Sequence, residues 1–128
     1  MINFKDKKIL ITGATGGIGK ALVKKFVTLE GNVLATGTKT EKLNALKKEF
    51  PNINILKFDI SDHSKIEEFI ENTSSQLAGL DVLVNNAGIN MDNLSLRMKD
   101  DEWKKVIDLN LGATFFLCKY GIKKMLKN

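Results

Sequence analysis

At 128 residues and 14.2 kDa, the chain has room for one compact domain that buries roughly two-thirds of its unfolded surface. Hydrophobic residues make up 43% and charged residues 27%, a balance that excludes a disordered tail and a membrane protein. The net charge of +5 comes from scattered lysines and a single arginine, Arg97, a pattern of solvated helix faces rather than of a nucleic-acid interface.

One cysteine, Cys118, and one histidine, His63, exclude an internal disulfide framework, a cysteine-based zinc cluster and a multi-histidine site, so no metal is expected. No apolar run approaches the roughly 20 residues a membrane span needs. The opening residues Met1 to Asp6 lack the features of a signal peptide. A cytoplasmic protein without membrane or nucleic-acid partners is the expectation.

In chain order, short β-branched runs alternate with helical patterns. Lys8 to Thr12 has the length and composition of a buried strand and runs into Gly13-Ala14-Thr15-Gly16-Gly17. From Ile18 a helix is predicted, with Ile18, Ala21, Leu22 and Phe26 on its apolar face. Gly31 and Asn32 stop it, and Asn32 to Gly37 reads as the second strand. Thr40 is a candidate cap for a helix running to about Phe50, which Pro51 ends. Ile53 to Phe58 is the third strand, and Ser61 or Asp62 caps a helix carrying Ile66, Phe69, Ile70 and Leu77. Asp81 to Asn85 is the fourth strand, followed by a loop through Asn93. Asp100, Asp101 and Glu102 suit a first helical turn, with Trp103, Val106 and Ile107 as its apolar face. Helix then continues from about Leu109 to Leu126.

Such alternation predicts an α/β fold: a doubly wound, Rossmann-like parallel sheet in the order 3-2-1-4, covered by helices on both faces. With no repeat or linker, residues 1–128 read as one dinucleotide-binding domain. Ligands of such sheets bind beyond the carboxyl ends of the strands, where the order reverses between strands 1 and 4.

The loop at that point carries Gly13-x-x-x-Gly17-x-Gly19 between a predicted strand and a predicted helix. Gly13 permits the sharp turn, while Gly17 and Gly19 let the helix approach a pyrophosphate and the sheet closely. No Gly-Lys-Ser/Thr follows, so this is not an ATPase-type phosphate loop. After the second strand, Thr38 and Lys39 replace the acid that would hold a ribose 2′-hydroxyl. A hydroxyl and a cation there suit a 2′-phosphate, which favours NADP(H). Asp59, followed by Ile60, ends the third strand and either meets an adenine edge or caps the next turn. Asn85-Asn86-Ala87-Gly88 brings amides and small residues to the same crevice.

Together, the glycine loop, Asp59, Asn85-Asn86-Ala87-Gly88 and Asn110 within Asp108-Leu109-Asn110-Leu111 resemble the classical short-chain dehydrogenase/reductase family over all 128 residues. Gly88 to Leu94, Arg97 to Asp100 and Glu102-Trp103 look most like the 3-oxoacyl-acyl-carrier-protein reductases of fatty-acid synthesis. The resemblance implies an NADPH-dependent oxidoreductase acting on a β-ketoacyl chain held by acyl-carrier protein, and a homo-oligomer, a tetramer in that family. Candidate cofactor contacts are Gly13, Ala14, Thr15, Gly16, Gly17, Ile18, Gly19, Thr38, Lys39, Asp59, Ile60, Asn86, Ala87 and Gly88. Asn110 is the candidate catalytic residue, implied to order a water in a proton relay. Many NADP-dependent relatives carry arginine at the position of Gly16, which leaves Lys39 as the substitute cation.

The family's catalytic Ser, Tyr and Lys are expected beyond Asn128, so 1–128 reads as the cofactor-binding portion of a longer enzyme. A short-chain reductase of another ketone or alcohol, or a non-catalytic nucleotide-binding fragment that assembles with a partner, are the alternatives. Tyr120-Gly121-Ile122-Lys123-Lys124 fits the family's Tyr-x-x-x-Lys spacing, yet it shares a helix with Asn110, ten residues or roughly 15 Å away along the axis. It reads as a chance match. Cys118 reads as a packed thiol and His63 as a surface residue without a partner. Phe115, Phe116 and Leu117 face either further core or a subunit interface.

Overall fold

The computed structural model describes residues 2–88 and 96–127. Four parallel strands, β1 (Lys8–Ile11), β2 (Asn32–Gly37), β3 (Asn54–Lys57) and β4 (Val82–Val84), lie in the order β3-β2-β1-β4, as right-handed crossovers require. Helices α1 (Gly17–Thr28), α2 (Thr40–Glu49) and α3 (Ile66–Leu77) connect successive strands. After β4 come α4 (Asp100–Ile107), a π-helical turn (Asp108–Gly112) and α5 (Ala113–Met125). The expected loop after β4 is described as far as Gly88; its remainder through Asn93 and the rest of the reductase-like stretch, 89–94, lie outside the described residues.

β1 is the axis of the sheet. It pairs with β2 from Lys8–Asn32 to Ile11–Ala35 and with β4 from Ile9–Val82 to Ile11–Val84. Successive side chains of a strand point to opposite faces, so the run Ile9-Leu10-Ile11 feeds two cores. Leu10 and Leu34 pack with Phe69, Ile70 and Leu117 on the α3 and α5 side. Ile9, Ile11, Val33 and Ala35 pack with Val23 and Leu46 on the α1 and α2 side. Below the sheet, Lys8 N–H donates to the Asp81 carboxylate at 2.9 Å and Asp81 N–H to the Lys8 carbonyl at 2.8 Å, locking β4 in register with β1.

Several local expectations need correction. The buried face of α1 is Gly19 and Val23, with Leu22 and Phe26 half-buried, whereas Ala21 is exposed and Ile18 is 73% exposed. The close seat of Gly19 on the preceding loop sets the rotation of the helix and turns Ile18 outward. Thr40 does not cap α2; Lys39 occupies that position without a side-chain cap bond. Ser61 and Asp62 do not cap α3 either, because their side chains are used in the turn before it. Ser61 bonds Asp59, and Asp62 accepts the Ser64 hydroxyl at 2.7 Å. Nor do Trp103, Val106 and Ile107 make a buried face. Trp103 is 60% exposed and the other two are half-buried; among the described residues, α4 meets chiefly the π-helical turn that continues it.

Thr73 lies on the core face of α3, fully buried, and its hydroxyl has no hydrogen-bond partner among the described residues. An unsatisfied buried hydroxyl costs about 1–3 kcal/mol. Thr73→Val is therefore expected to raise stability by about 1 kcal/mol, or roughly 4 °C in Tm for a chain of this size. Urea and thermal unfolding check this; a lowered midpoint would show that the hydroxyl is satisfied.

Candidate functional site

The carboxyl ends of β1 and β4 diverge into a crevice of about 600 Å³. Its floor is the turn after β1. Thr12 follows the strand rather than ending it, and its hydroxyl is fully used: it donates to the Val84 carbonyl (3.3 Å) and accepts from Asn86 N–H (3.1 Å) and Ala87 N–H (3.0 Å). Asn86 Nδ2 donates to the Gly13 carbonyl at 3.0 Å, so the β1 and β4 loops are stitched together from both sides. Gly13 has φ +59, and a Cβ there would sit 2.8 Å from Ala87 Cα. Both the left-handed backbone and the close approach demand glycine.

Gly19 carries the second steric demand. A Cβ on it would lie 2.0 Å from the Gly13 carbonyl oxygen and 2.8 Å from Ala14 Cα, so α1 rests directly on the loop. Ala14 is buried and donates its N–H to the Thr36 carbonyl at 3.1 Å, tying the loop to β2. Gly16 is the N-cap of α1, with no side-chain cap and no acid in the first turn, and a Cβ on Gly17 would meet only open space. The helix therefore presents unneutralised N–H groups beside an open volume, which suits an anionic group. Thr15 lies against Gly37, 3.4 Å from where a Cβ there would stand.

The remaining predicted residues divide. Thr38, Asp59, Ile60, Ala87 and Gly88 line the crevice, as do Gly13 and Thr15. Lys39 does not; it is exposed at the start of α2. Ile18 projects into solvent. Asp59 Oδ1 accepts from Ser61 N–H (3.0 Å) and Ser61 Oγ (2.7 Å), so it caps the turn while still facing the crevice. Asn110 is exposed in the π-helical turn, with its Oδ1 3.0 Å from the place of a Gly88 Cβ, which sets it beside the end of β4.

Phe58, Lys105, Asp108 and Leu109 also line the crevice and were not among the residues expected there. Phe58 carried a signal, since it ends the predicted third strand and stacks on Phe69 at 4.3 Å. Lys105 on α4 and Asp108 and Leu109 in the π-helical turn carried none, because only the tertiary placement of that segment brings them over the crevice. Asp108 is paired with Lys104 at 2.7 Å.

Two dismissed candidates are placed differently. His63 is not a lone surface residue: its Nε2 lies 2.8 Å from the Asp108 carbonyl and its ring 5.1 Å from that of Phe116. Sequence spacing gave no warning, since the partners lie 45 positions apart. Tyr120 packs against the α3 core and lines a separate hollow of about 230 Å³. The lysine of its motif, Lys124, is bound to Glu71 at 2.6 Å and, by that hydrogen bond, holds the Glu71 carboxyl below the usual carboxylate range. Cys118 is half-buried and accepts from Asn85 Nδ2 at 3.3 Å.

Comparison with known proteins agrees with this geometry. The profile of the short chain dehydrogenase family matches residues 7–128. The chain is 43% identical, over its whole length, to the 3-oxoacyl-[acyl-carrier-protein] reductase FabG of Rickettsia conorii, of which it covers 52%. It is 36% identical to the Escherichia coli K12 protein of the same name, with 98% of this chain and 52% of that one covered. A Brucella melitensis crystal structure described as a short-chain dehydrogenase/reductase, glucose/ribitol dehydrogenase, superposes with TM-score 0.88 at 29% identity, covering 96% of this chain and 54% of that one. A metagenomic blue fluorescent protein crystallised with NADPH shares the fold, with TM-score 0.89 at 24% identity over 97% of this chain and 53% of its own. The chain spans about half the length of the curated relatives it matches. It belongs to the short-chain dehydrogenase family.

Proposed function

We propose that residues 1–128 form the cofactor-binding domain of an NADPH-dependent 3-oxoacyl-acyl-carrier-protein reductase, a cytoplasmic enzyme of fatty-acid synthesis. The observation that carries this reading is the crevice lined by Gly13, Thr15, Thr38, Asp59, Ala87 and Gly88, with the uncapped start of α1 two residues beyond Thr15. Identity of 36–43% to reductases of that name supports the substrate class. When bound, NADPH supplies the hydride. The chain's own residues would hold it: the first turn of α1 would receive the pyrophosphate, Thr38 and, from outside the crevice lining, Lys39 the 2′-phosphate, and Asp59 and Ile60 the adenine side. Asn86, Ala87 and Gly88 would shape the wall beside it, and Asn110, next to Gly88, would order the water of a proton relay. The Ser, Tyr and Lys of proton transfer belong, on this reading, to the other half of a protein the size of the relatives. A short-chain reductase of another ketone or alcohol is the second reading, favoured by the Brucella neighbour.

Fluorescence titration tests the cofactor assignment. NADPH is expected to bind about tenfold more tightly than NADH, since one charge-assisted contact to the 2′-phosphate is worth roughly 1.5 kcal/mol. Lys39→Asp should abolish or invert the preference. Equal affinities, unchanged by the substitution, would refute the roles of Thr38 and Lys39.

Tyr120 is read as a packing residue. In a chain extended to the length of the relatives, Tyr120→Phe should leave turnover of a β-ketoacyl thioester within about threefold. A loss of several orders of magnitude with cofactor binding intact would make Tyr120 the proton donor.

Self-association into a homo-oligomer is the third expectation. Leu111, Phe115 and Ile122 are 65%, 61% and 54% exposed and fall on one stripe of the helix by their spacing. β4 is partnered only by β1 among the described residues, and an unpaired strand edge invites pairing. Sedimentation equilibrium should show a dimer or larger species that Phe115→Lys shifts toward monomer; a parent monomer at every concentration would overturn this.

A further inference from the structure

His63 opens the short 3-10 turn (His63–Lys65) ahead of α3, yet its ring reaches across to the helix that carries Asn110. Nε2 lies 2.8 Å from the Asp108 carbonyl oxygen. A carbonyl only accepts, so Nε2 carries the hydrogen, which holds for the neutral Nε2–H tautomer and for the imidazolium alike. The same oxygen also accepts the N–H of Ala113, five residues on, and this is the bond that makes the turn π-helical rather than α-helical. Both acceptor sites of the Asp108 carbonyl are thereby engaged.

The ring also fills a space that the sequence leaves for it. A Cβ at Gly112 would lie 2.8 Å from His63 Cε1 and 3.3 Å from Nε2, so the imidazole occupies the place of the missing side chain. Phe116 backs the ring one helical turn further on. Relaxing the turn from i+5 to i+4 bonding would rotate one side of it by about 100° relative to the other. Ala113 and Leu117 are fixed in the core with α3, so the rotation would fall on the side that carries Asn110.

We propose that His63 is a positioning residue: its Nε2–H bond to Asp108 and its ring against Gly112 hold the π-helical turn open and thereby keep Asn110 beside Gly88 at the crevice. The value of that placement rests on the role proposed for Asn110, whereas the clamp itself is a property of this chain. Thr114 supports it from within the helix, its hydroxyl donating to the Asn110 carbonyl at 2.9 Å.

Isotope-labelled chain studied by NMR tests the clamp without any need for turnover. In His63→Leu the Asp108 carbonyl resonance should move upfield, the Asn110 side-chain amide signals should shift, and the Ala113 amide should exchange about five- to tenfold faster. His63→Gln, whose Nε2 reaches about as far as that of imidazole, should restore all three, a rescue that simple space-filling would not give. Gly112→Ala, which expels the ring, should reproduce the His63→Leu pattern and decides the matter if His63→Leu fails to fold. Unchanged Asp108 and Asn110 signals in folded His63→Leu, or a glutamine no better than leucine, would overturn the proposal. Parallel titration keeps the two readings apart. If the parent chain binds neither NADPH nor NADH, the proposed function fails, while the Asp108 and Asn110 signals still decide the clamp.

Discussion

The site depends on one crowded junction. Gly13 meets Ala87 on one side and Gly19 on the other, with no room for a side chain on either glycine. That contact sets the rotation of α1, and the Thr12 hydroxyl fixes the β4 loop beside it. The close approach of these backbones places Gly13, Thr15, Ala87 and Gly88 together in the lining of the crevice. A methyl group at Gly19 would have to displace a backbone carbonyl, so the helix would lift from the sheet and carry its free N–H groups away with it.

Much of this was legible because strong local signals agree. Apolar strand-length runs separated by helical spacings predicted β1 to β4 to within one residue at either end, and strand order followed from crossover handedness. Glycine spacing located the crevice. The failures at Ile18 and Trp103 share a cause: they concern directions around a helix, which periodicity fixes only when one neighbour dominates. Ile18 fits the apolar stripe of α1, but the Gly19 contact outweighs it. Trp103 fits a stripe on α4, yet among the described residues that helix meets chiefly the π-helical turn that continues it.

His63 shows the other limit. Nothing in His63-Ser64-Lys65 indicates a partner 45 positions away, and Gly112 looks like any helix glycine. Only when the two are seen together does each explain the other. The π-helical turn was equally invisible, since Asp108-Leu109-Asn110-Leu111 continues the helical spacing without interruption. Asp59 was readable in both of its alternatives, and it serves the turn with one oxygen while facing the crevice.

The central place of β1 also bears on the order in which the sheet can assemble. Lys8 pairs with Asn32 a short way along the chain, but the Lys8–Asp81 lock closes over 73 positions. Closing the longer loop costs about 1 kcal/mol more in chain entropy than closing the shorter one. As the chain emerges from synthesis, β1 and β2 can pair at once, with β3 next. One edge of β1 must wait until β4 arrives. The junction that makes the crevice can therefore form only once residues 82–87 have been made, later than the β1–β2 pairing, and the same strand brings Val82 and Val84 to the core beneath α1 and α2.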